Sequence, residues 1–315
     1  VTASVVVADR RGQGPWPRLP LGEWRDTQST LHRWVQMVGK TRLALAPPVN
    51  HWWHVALYLT ARGLSTSPMP SGSRTVEVEL DFVDHNLLVR TGDGSTRAMA
   101  LVPRSVADFY REYRALLDTL GVQARLWPVP AEMADRLPFP EDQEHRSYDP
   151  EYAARCWKVL AQGARVLQQF RGRFLGKCSP VHFFWGGFDL ACTRFSGRPA
   201  PPHPGGIPNL PDRITREAYS HECISAGWWP GDPRFPEPGF YSYSYPQPAG
   251  FSQARVRPAE AYYHQELGEF ILPYEAVRTS NRPDELLLQF FQSTYEAGAE
   301  LGGWDRRALE RDGRE

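Results

Sequence analysis

Apolar residues recur at helical spacing over four long stretches of the chain and alternate with polar ones over several short ones. Residues 27–45 carry Leu31, Trp34, Val35, Val38 and Leu45 on one stripe, with Thr27 as a candidate N-cap and Pro47-Pro48 as the stop. His32 lies beside that stripe, either as a packed histidine or as a functional one. Pro103 opens a second helix whose Val106, Phe109, Tyr113, Leu117 and Leu120 keep one face until Gly121. Asp149 as N-cap, Pro150 and Glu151 open a third, with Cys156, Val159, Leu160, Val166 and Phe170 inward. Residues 284–301 form the last, closed by Gly302-Gly303.

Alternation predicts the strands. In residues 74–82, Val76, Val78, Leu80 and Phe82 face one way, while Glu77, Glu79 and Asp81 face the other as a solvated edge. Residues 86–91 and 97–102 pair around Gly92-Asp93-Gly94. Residues 52–60 read as an aromatic strand, which would put His51 and His54 on opposite faces and argue against a shared metal. The second half offers strands at 181–193, within 216–229, at 240–245 and at 268–274. The expectation is an α+β protein with two mostly antiparallel four-stranded sheets, each with long helices packed on it, as a pseudo-symmetric pair. The segments are an N-terminal arm (1–24), a first α+β subdomain (25–127), a proline-rich linker (128–148), a second subdomain (149–304) and a tail (305–315). In the arm, residues 1–14 read as mobile, and Trp16, Leu19, Leu21 and Trp24 as docking anchors.

Composition narrows the function classes. Lys+Arg and Asp+Glu are 36 each, so no net charge draws the chain to nucleic acid or to an anionic membrane. No stretch approaches the ~20 apolar residues needed to span a bilayer. The four cysteines form no Cys-x-x-Cys pair, and a reducing cytoplasm is the expected location. The 29 prolines and 11 tryptophans favour long ordered loops and either an aromatic-walled pocket or a Trp-rich core.

Candidate chemistry concentrates in residues 179–231. If residues 181–192 form one regular strand, His182 shares a face with Cys192 and Asp189 lies on the other, unless Gly186-Gly187 bends the strand. His221 and Cys223 share a face and Glu222 opposes them. His182 and His221 would then meet across neighbouring strands, with His203 folding over them from the proline loop. Three imidazoles so placed would suit zinc or another divalent transition metal. No short-range metal signature accompanies them, so structural histidines are the competing reading. Ser220-His221-Glu222 has triad residue types, and His182, His221 and Glu222 stand as the candidate catalytic residues. Trp185, Trp228 and Tyr243 would line an organic-ligand pocket, while Arg194 and Arg198 would hold a carboxylate or phosphate. The proline segment 199–211 would act as a rigid lid. Phosphate-loop and nucleophile-elbow motifs are absent from the sequence.

Several phrases together resemble a bacterial family of unknown function. They are Asn50-His51-Trp52-Trp53-His54-Val55, His182-Phe183-Phe184-Trp185-Gly186-Gly187-Phe188-Asp189-Leu190, Thr193-Arg194-Phe195-Ser196-Gly197-Arg198, Ser220-His221-Glu222, Gly227-Trp228-Trp229-Pro230-Gly231 and Ser293-Thr294-Tyr295-Glu296. The resemblance runs from about Trp34 to Trp304. It implies a shared bacterial cytoplasmic architecture and no reaction. Two functions remain: a small-molecule enzyme, metal-assisted or not, with an aromatic, histidine-containing pocket in the second half; or a non-catalytic ligand-binding or structural protein without a metal.

Overall fold

A computed structural model describes residues 14–232 and 235–311. All of the mobile tail expected at residues 1–14 except Gly14 lies outside the described residues. The arm docks as expected: Trp16, Leu19, Leu21 and Trp24 are buried, and the Tyr274 hydroxyl donates to the Pro17 carbonyl at 2.6 Å. Helix α1 (Leu21–Leu45) begins a turn and a half before Thr27, directly after Pro20. Thr27 instead accepts a hydrogen bond from the Asp149 amide at 3.0 Å. Helix α2 (Val106–Thr119) is capped by Ser105, and α3 (Pro150–Gly172) by Asp149. The short helices α4 (Asp212–Ala218) and α5 (Tyr274–Arg278) precede the long α6 (Pro283–Leu301), and the one-turn α7 (Arg306–Leu309) follows it.

Among the described residues the architecture is α+β with two antiparallel sheets, each of six strands rather than four. In the first, β1 (Tyr58–Leu59), β2 (Gly63–Ser65), β4 (Arg74–Asp81), β5 (Asn86–Thr91) and β6 (Thr96–Ala100) follow in order, and β3 (Met69–Ser71) also pairs with β4. In the second the order is β11 (Tyr262–His264), β12 (Glu269–Pro273), β10 (Gly239–Tyr245), β9 (His221–Trp229), β8 (Asp189–Pro199) and β7 (His182–Phe184). The extra strands are two or three residues long, too short to show a period-two pattern. The two strand orders differ, so the expected pseudo-symmetry is not matched in the topology. A bridge between Leu57 and Phe183 links the sheets, and one continuous apolar core includes residues from both halves.

Three local readings change. Residues 50–55 form a 3-10 turn with His51 (φ 58°) and Trp52 (φ 59°) left-handed, so this segment is not a strand. Residues 181–193 are a hairpin: Gly186-Gly187 sit in the turn, and Phe184 pairs with Asp189, His182 with Ala191. The acids of β4 are engaged rather than free: Glu79 accepts from Thr60 and Arg90 at 2.9 and 2.7 Å, and Asp81 from Arg62 at 2.7 Å.

Directly paired residues of an antiparallel sheet face the same side. One face of the second sheet therefore carries Leu190, Arg194, Ile224, Trp228 and Phe240, all buried under α3 and α6. Glycine permits the close approach of α6: a β-carbon on Gly298 would lie 2.9 Å from Ile224. The other face carries Asp189, Thr193, Cys223, Ser225, Tyr241 and Tyr243.

Candidate functional site

The second face is lined by tyrosines because β10 reads Phe-Tyr-Ser-Tyr-Ser-Tyr, placing every tyrosine on one side. Tyr241 lies over Gly227, where a β-carbon would come within 2.5 Å of the phenol oxygen. That position donates the Tyr241 hydroxyl to Asp189 Oδ2 at 2.5 Å. Tyr219, just after the short helix α4 (Asp212–Ala218), brings its hydroxyl within 2.6 Å of that of Tyr243. The proline loop folds onto this group: the His203 ring stacks on Tyr219 at 4.8 Å, and Asn209 donates to the Met133 carbonyl at 2.7 Å.

The opposite wall comes from α1. His32, Gln36 and Lys40 are four residues apart and form one buried polar stripe. Gln36 clamps Ala131 from both sides, donating to its carbonyl and accepting from its amide, each at 2.8 Å. His32 Nε2 donates to the carbonyls of Trp185 (3.0 Å) and Gly186 (2.9 Å), fixing the β7–β8 turn. Arg33 pairs with Asp135 and, at 3.1 Å, with Asp142, which fastens the proline-rich segment to α1. Between these clamps Glu132 is held at φ 59° and Phe188 at φ 57°. Left-handed conformation costs a non-glycine residue ~1–2 kcal/mol, so the surrounding contacts impose it. Gly186 leaves room for the Glu132 carboxylate, which a β-carbon there would displace.

The resulting cleft displaces the acidity of its members. Glu132 is an exposed residue whose carboxyl reaches back to Gly186, where protein atoms desolvate it. That desolvation, with the Asp189 charge adding to it, pushes its carboxyl up to about 7 against the pull of Lys40. Desolvation likewise raises Asp189 to about 6, opposed by the Tyr241 hydrogen bond. Burial lowers the Lys40 ammonium to about 8, with Glu132 restraining the fall. Its nitrogen sits 5.5 Å from the Trp185 ring and 5.9 Å from Phe139. Burial raises the Tyr219, Tyr241 and Tyr243 phenols, keeping them protonated as donors. The group is thus two carboxyls titrating near neutrality, an amine and three phenols.

Of the residues expected to form a site, Tyr243 and His203 stand in this cleft, and Trp185 borders it while donating Nε1 to the Val55 carbonyl at 2.7 Å. Trp228 and Arg194 face the core. The Arg194 guanidinium lies 3.5 Å from the Phe170 ring centroid and 4.2 Å from that of Tyr295, and it donates to the Phe170 carbonyl. Arg198 and Glu222 bind each other, with Arg198 Nε 2.8 Å from Glu222 Oε2, and Arg198 also ties β8 to the Gly302 and Gly303 carbonyls after α6. His182 and His221 do not lie on neighbouring strands, because β8 runs between β7 and β9, and His182 shares its row with Gly227 rather than with His221. His221 instead meets His51, ring centroids 5.6 Å apart. His182 packs among Trp53, Tyr58 and Phe184. Among the described residues no group of three or more His, Cys, Asp or Glu side chains is placed to hold a metal ion, so His182, His203 and His221 are not gathered into one. The parity that separated His182 from Asp189 fails for the same reason: the turn at Gly186-Gly187 puts both on one face.

The family model for a family of unknown function, DUF5996, matches residues 16–311, nearly the whole chain. The chain belongs to this family. No curated protein and no solved structure matches it. Membership agrees with the resemblance read from the motif phrases and supplies no reaction, so chemistry has to be argued from the cleft. Among the described residues no helix is long and apolar enough to cross a membrane.

Proposed function

We propose that this protein is an enzyme performing general acid–base chemistry on a small organic molecule bound between the tyrosine face and the proline loop. The observation that carries the proposal is geometric: Asp189 accepts the Tyr241 hydroxyl at 2.5 Å on the face shared with the Tyr219–Tyr243 pair, and the Glu132 carboxyl reaches the Gly186 turn just before it; both carboxyls are shifted upward, to about 6 and about 7. Groups titrating near neutrality can both take and return a proton at physiological pH. In this reading Asp189, oriented by Tyr241, is the base; Glu132, largely protonated below pH 7, is the acid; and Tyr219 and Tyr243 donate hydrogen bonds to substrate oxygen or nitrogen. Lys40 tunes Glu132 from behind.

The test is a ligand-observed NMR screen of metabolite mixtures against the wild type, Asp189→Asn and Glu132→Gln, followed by turnover assays on each hit. Hits that bind all three proteins but change chemically only with the wild type support the enzyme. Hits that stay chemically unchanged with the wild type favour the non-catalytic binding protein. Hits indifferent to both substitutions would remove the cleft from consideration.

A further inference from the structure

A second cluster on the same face takes no part in the cleft. His182 is only 1% exposed, and neither ring nitrogen has a hydrogen-bond partner. Burial, with the charges of Arg42 and Arg171 adding to it, depresses its basicity to about 3, so at neutral pH it is an uncharged imidazole with one donor and one acceptor. Arg42 of α1 also lies by Tyr58, to which its side chain is hydrogen-bonded: the guanidinium carbon is 5.3 Å from the Tyr58 ring centroid, and the His182 ring centroid is 5.6 Å from it. Arg42 Nε and Nη1 are also buried and unpartnered. Trp53 completes the wall, 5.6 Å from His182.

The charge balance is one-sided. Among the described residues neither Arg42, Arg171 nor Lys177 forms an ion pair. Arg171 Nε donates to the Ser179 carbonyl at 2.7 Å, and Lys177 donates to His51 Nε2 at 2.7 Å, both neutral acceptors. The nearby acid, Glu217, acts on His51 and His54, whereas the charges acting on His182 are both positive. Each buried polar group left without a partner costs ~1–3 kcal/mol, and a guanidinium costs more. Three of these four nitrogens, the two of Arg42 and the His182 N–H, are donors that a bound anion would satisfy. Which His182 nitrogen faces the anion refines the class. A carboxylate can only accept, so it can meet the imidazole only at its N–H. A hydrogen phosphate or a protonated phosphomonoester accepts from Arg42 and can meet either imidazole nitrogen, accepting from the N–H or donating its own O–H.

We propose that Arg42 and His182, walled by Tyr58 and Trp53, form a seat for a phosphate group. It is independent of the acid–base reading of the carboxylate cleft. The experiment uses the full chain in phosphate-free buffer, with ring-nitrogen NMR of His182 and thermal denaturation as readouts. Inorganic phosphate, phenyl phosphate and acetate are titrated separately. A saturable His182 shift with a rise in melting temperature is expected for either phosphate probe, and binding at least about tenfold weaker for acetate. Phosphate alone would identify free phosphate as the ligand, and tighter binding of phenyl phosphate a monoester. Arg42→Gln should weaken binding by about tenfold or more, as loss of a charged hydrogen-bond partner does, while Arg97→Gln on exposed β6 should leave it unchanged. Arg42→Lys, which retains charge but not the fork, guards against a folding defect and should fall between. No saturable shift with either phosphate probe, or an unchanged affinity in folded Arg42→Gln or Arg42→Lys, would overturn the seat.

Discussion

The two faces of the second sheet are built from alternate residues of the same strands, yet they hold polar groups in opposite ways. On the helix-covered face Arg194 is fully buried and still charged, lowered by burial only to about 10, because Phe170 and Tyr295 stack on it and the end of α3 accepts its hydrogen bond. On the tyrosine face Asp189, five residues earlier on the same strand β8, is partly open and raised to about 6. A buried charge held between stacked rings and a backbone carbonyl is part of the packing. A charge kept wet but desolvated is available for chemistry. Face, more than residue type, decides which role a polar side chain takes.

Substitution on each face breaks or sharpens that contrast. Trp228→Ala removes a side chain with no exposed surface from the core face and should cost about 3–5 kcal/mol in urea unfolding. Tyr243→Phe on the other face removes the hydroxyl that meets Tyr219 and Ser225 and should cost about 1–2 kcal/mol; a cost equal to that of Trp228→Ala would erase the distinction.

The pH dependence separates the walls of the cleft, with an effect between those two. His32 is depressed by burial from 6.5 to about 4, so the folded protein binds fewer protons than the unfolded chain between those values. Its contribution is present above pH 6.5 and lost as pH falls to about 4, amounting to roughly 3 kcal/mol at most. Asp189 runs the other way: raised from 3.8 to about 6, it favours the fold fully below pH 3.8 and loses that contribution as pH rises through 6. Relative to wild type, the slope of stability against pH should therefore fall by up to one proton's worth in His32→Gln between pH 4 and 6.5, and rise by up to one proton's worth in Asp189→Asn between pH 4 and 6. The smallest expected effect on stability is that of Gly186→Ala. Its new methyl group displaces the flexible Glu132 carboxyl into water, returning that carboxyl toward its ordinary acidity, as carbon NMR would show.

Much of the fold was legible in the pattern. The four long helices and the longer strands follow from period and capping, and the α+β class follows from them. Strands of two or three residues carry no period, and two consecutive left-handed residues at His51 and Trp52 turned an apparent strand into a 3-10 turn. The cleft was legible in fragments. Tyr243 and the lid-like proline loop were readable, and His32 stood out beside its stripe. Gln36 and Lys40 complete that stripe at spacing of four, a signal present in the sequence but not read. Asp189 was set aside because a hairpin turn was taken as strand continuation, which inverts every facing beyond it. Glu132 lies in a proline-rich stretch without periodicity, and only the tertiary clamps from Gln36 and Arg33 make it a site residue.

Carbon-detected NMR titration of the Glu132 and Asp189 carboxyls tests the cleft most directly. The account predicts midpoints of about 7 and about 6, with Glu132 moving down in Asp189→Asn because part of its elevation is the Asp189 charge. Two midpoints near the ordinary carboxylate value of about 4, indifferent to each other's substitution, would contradict it.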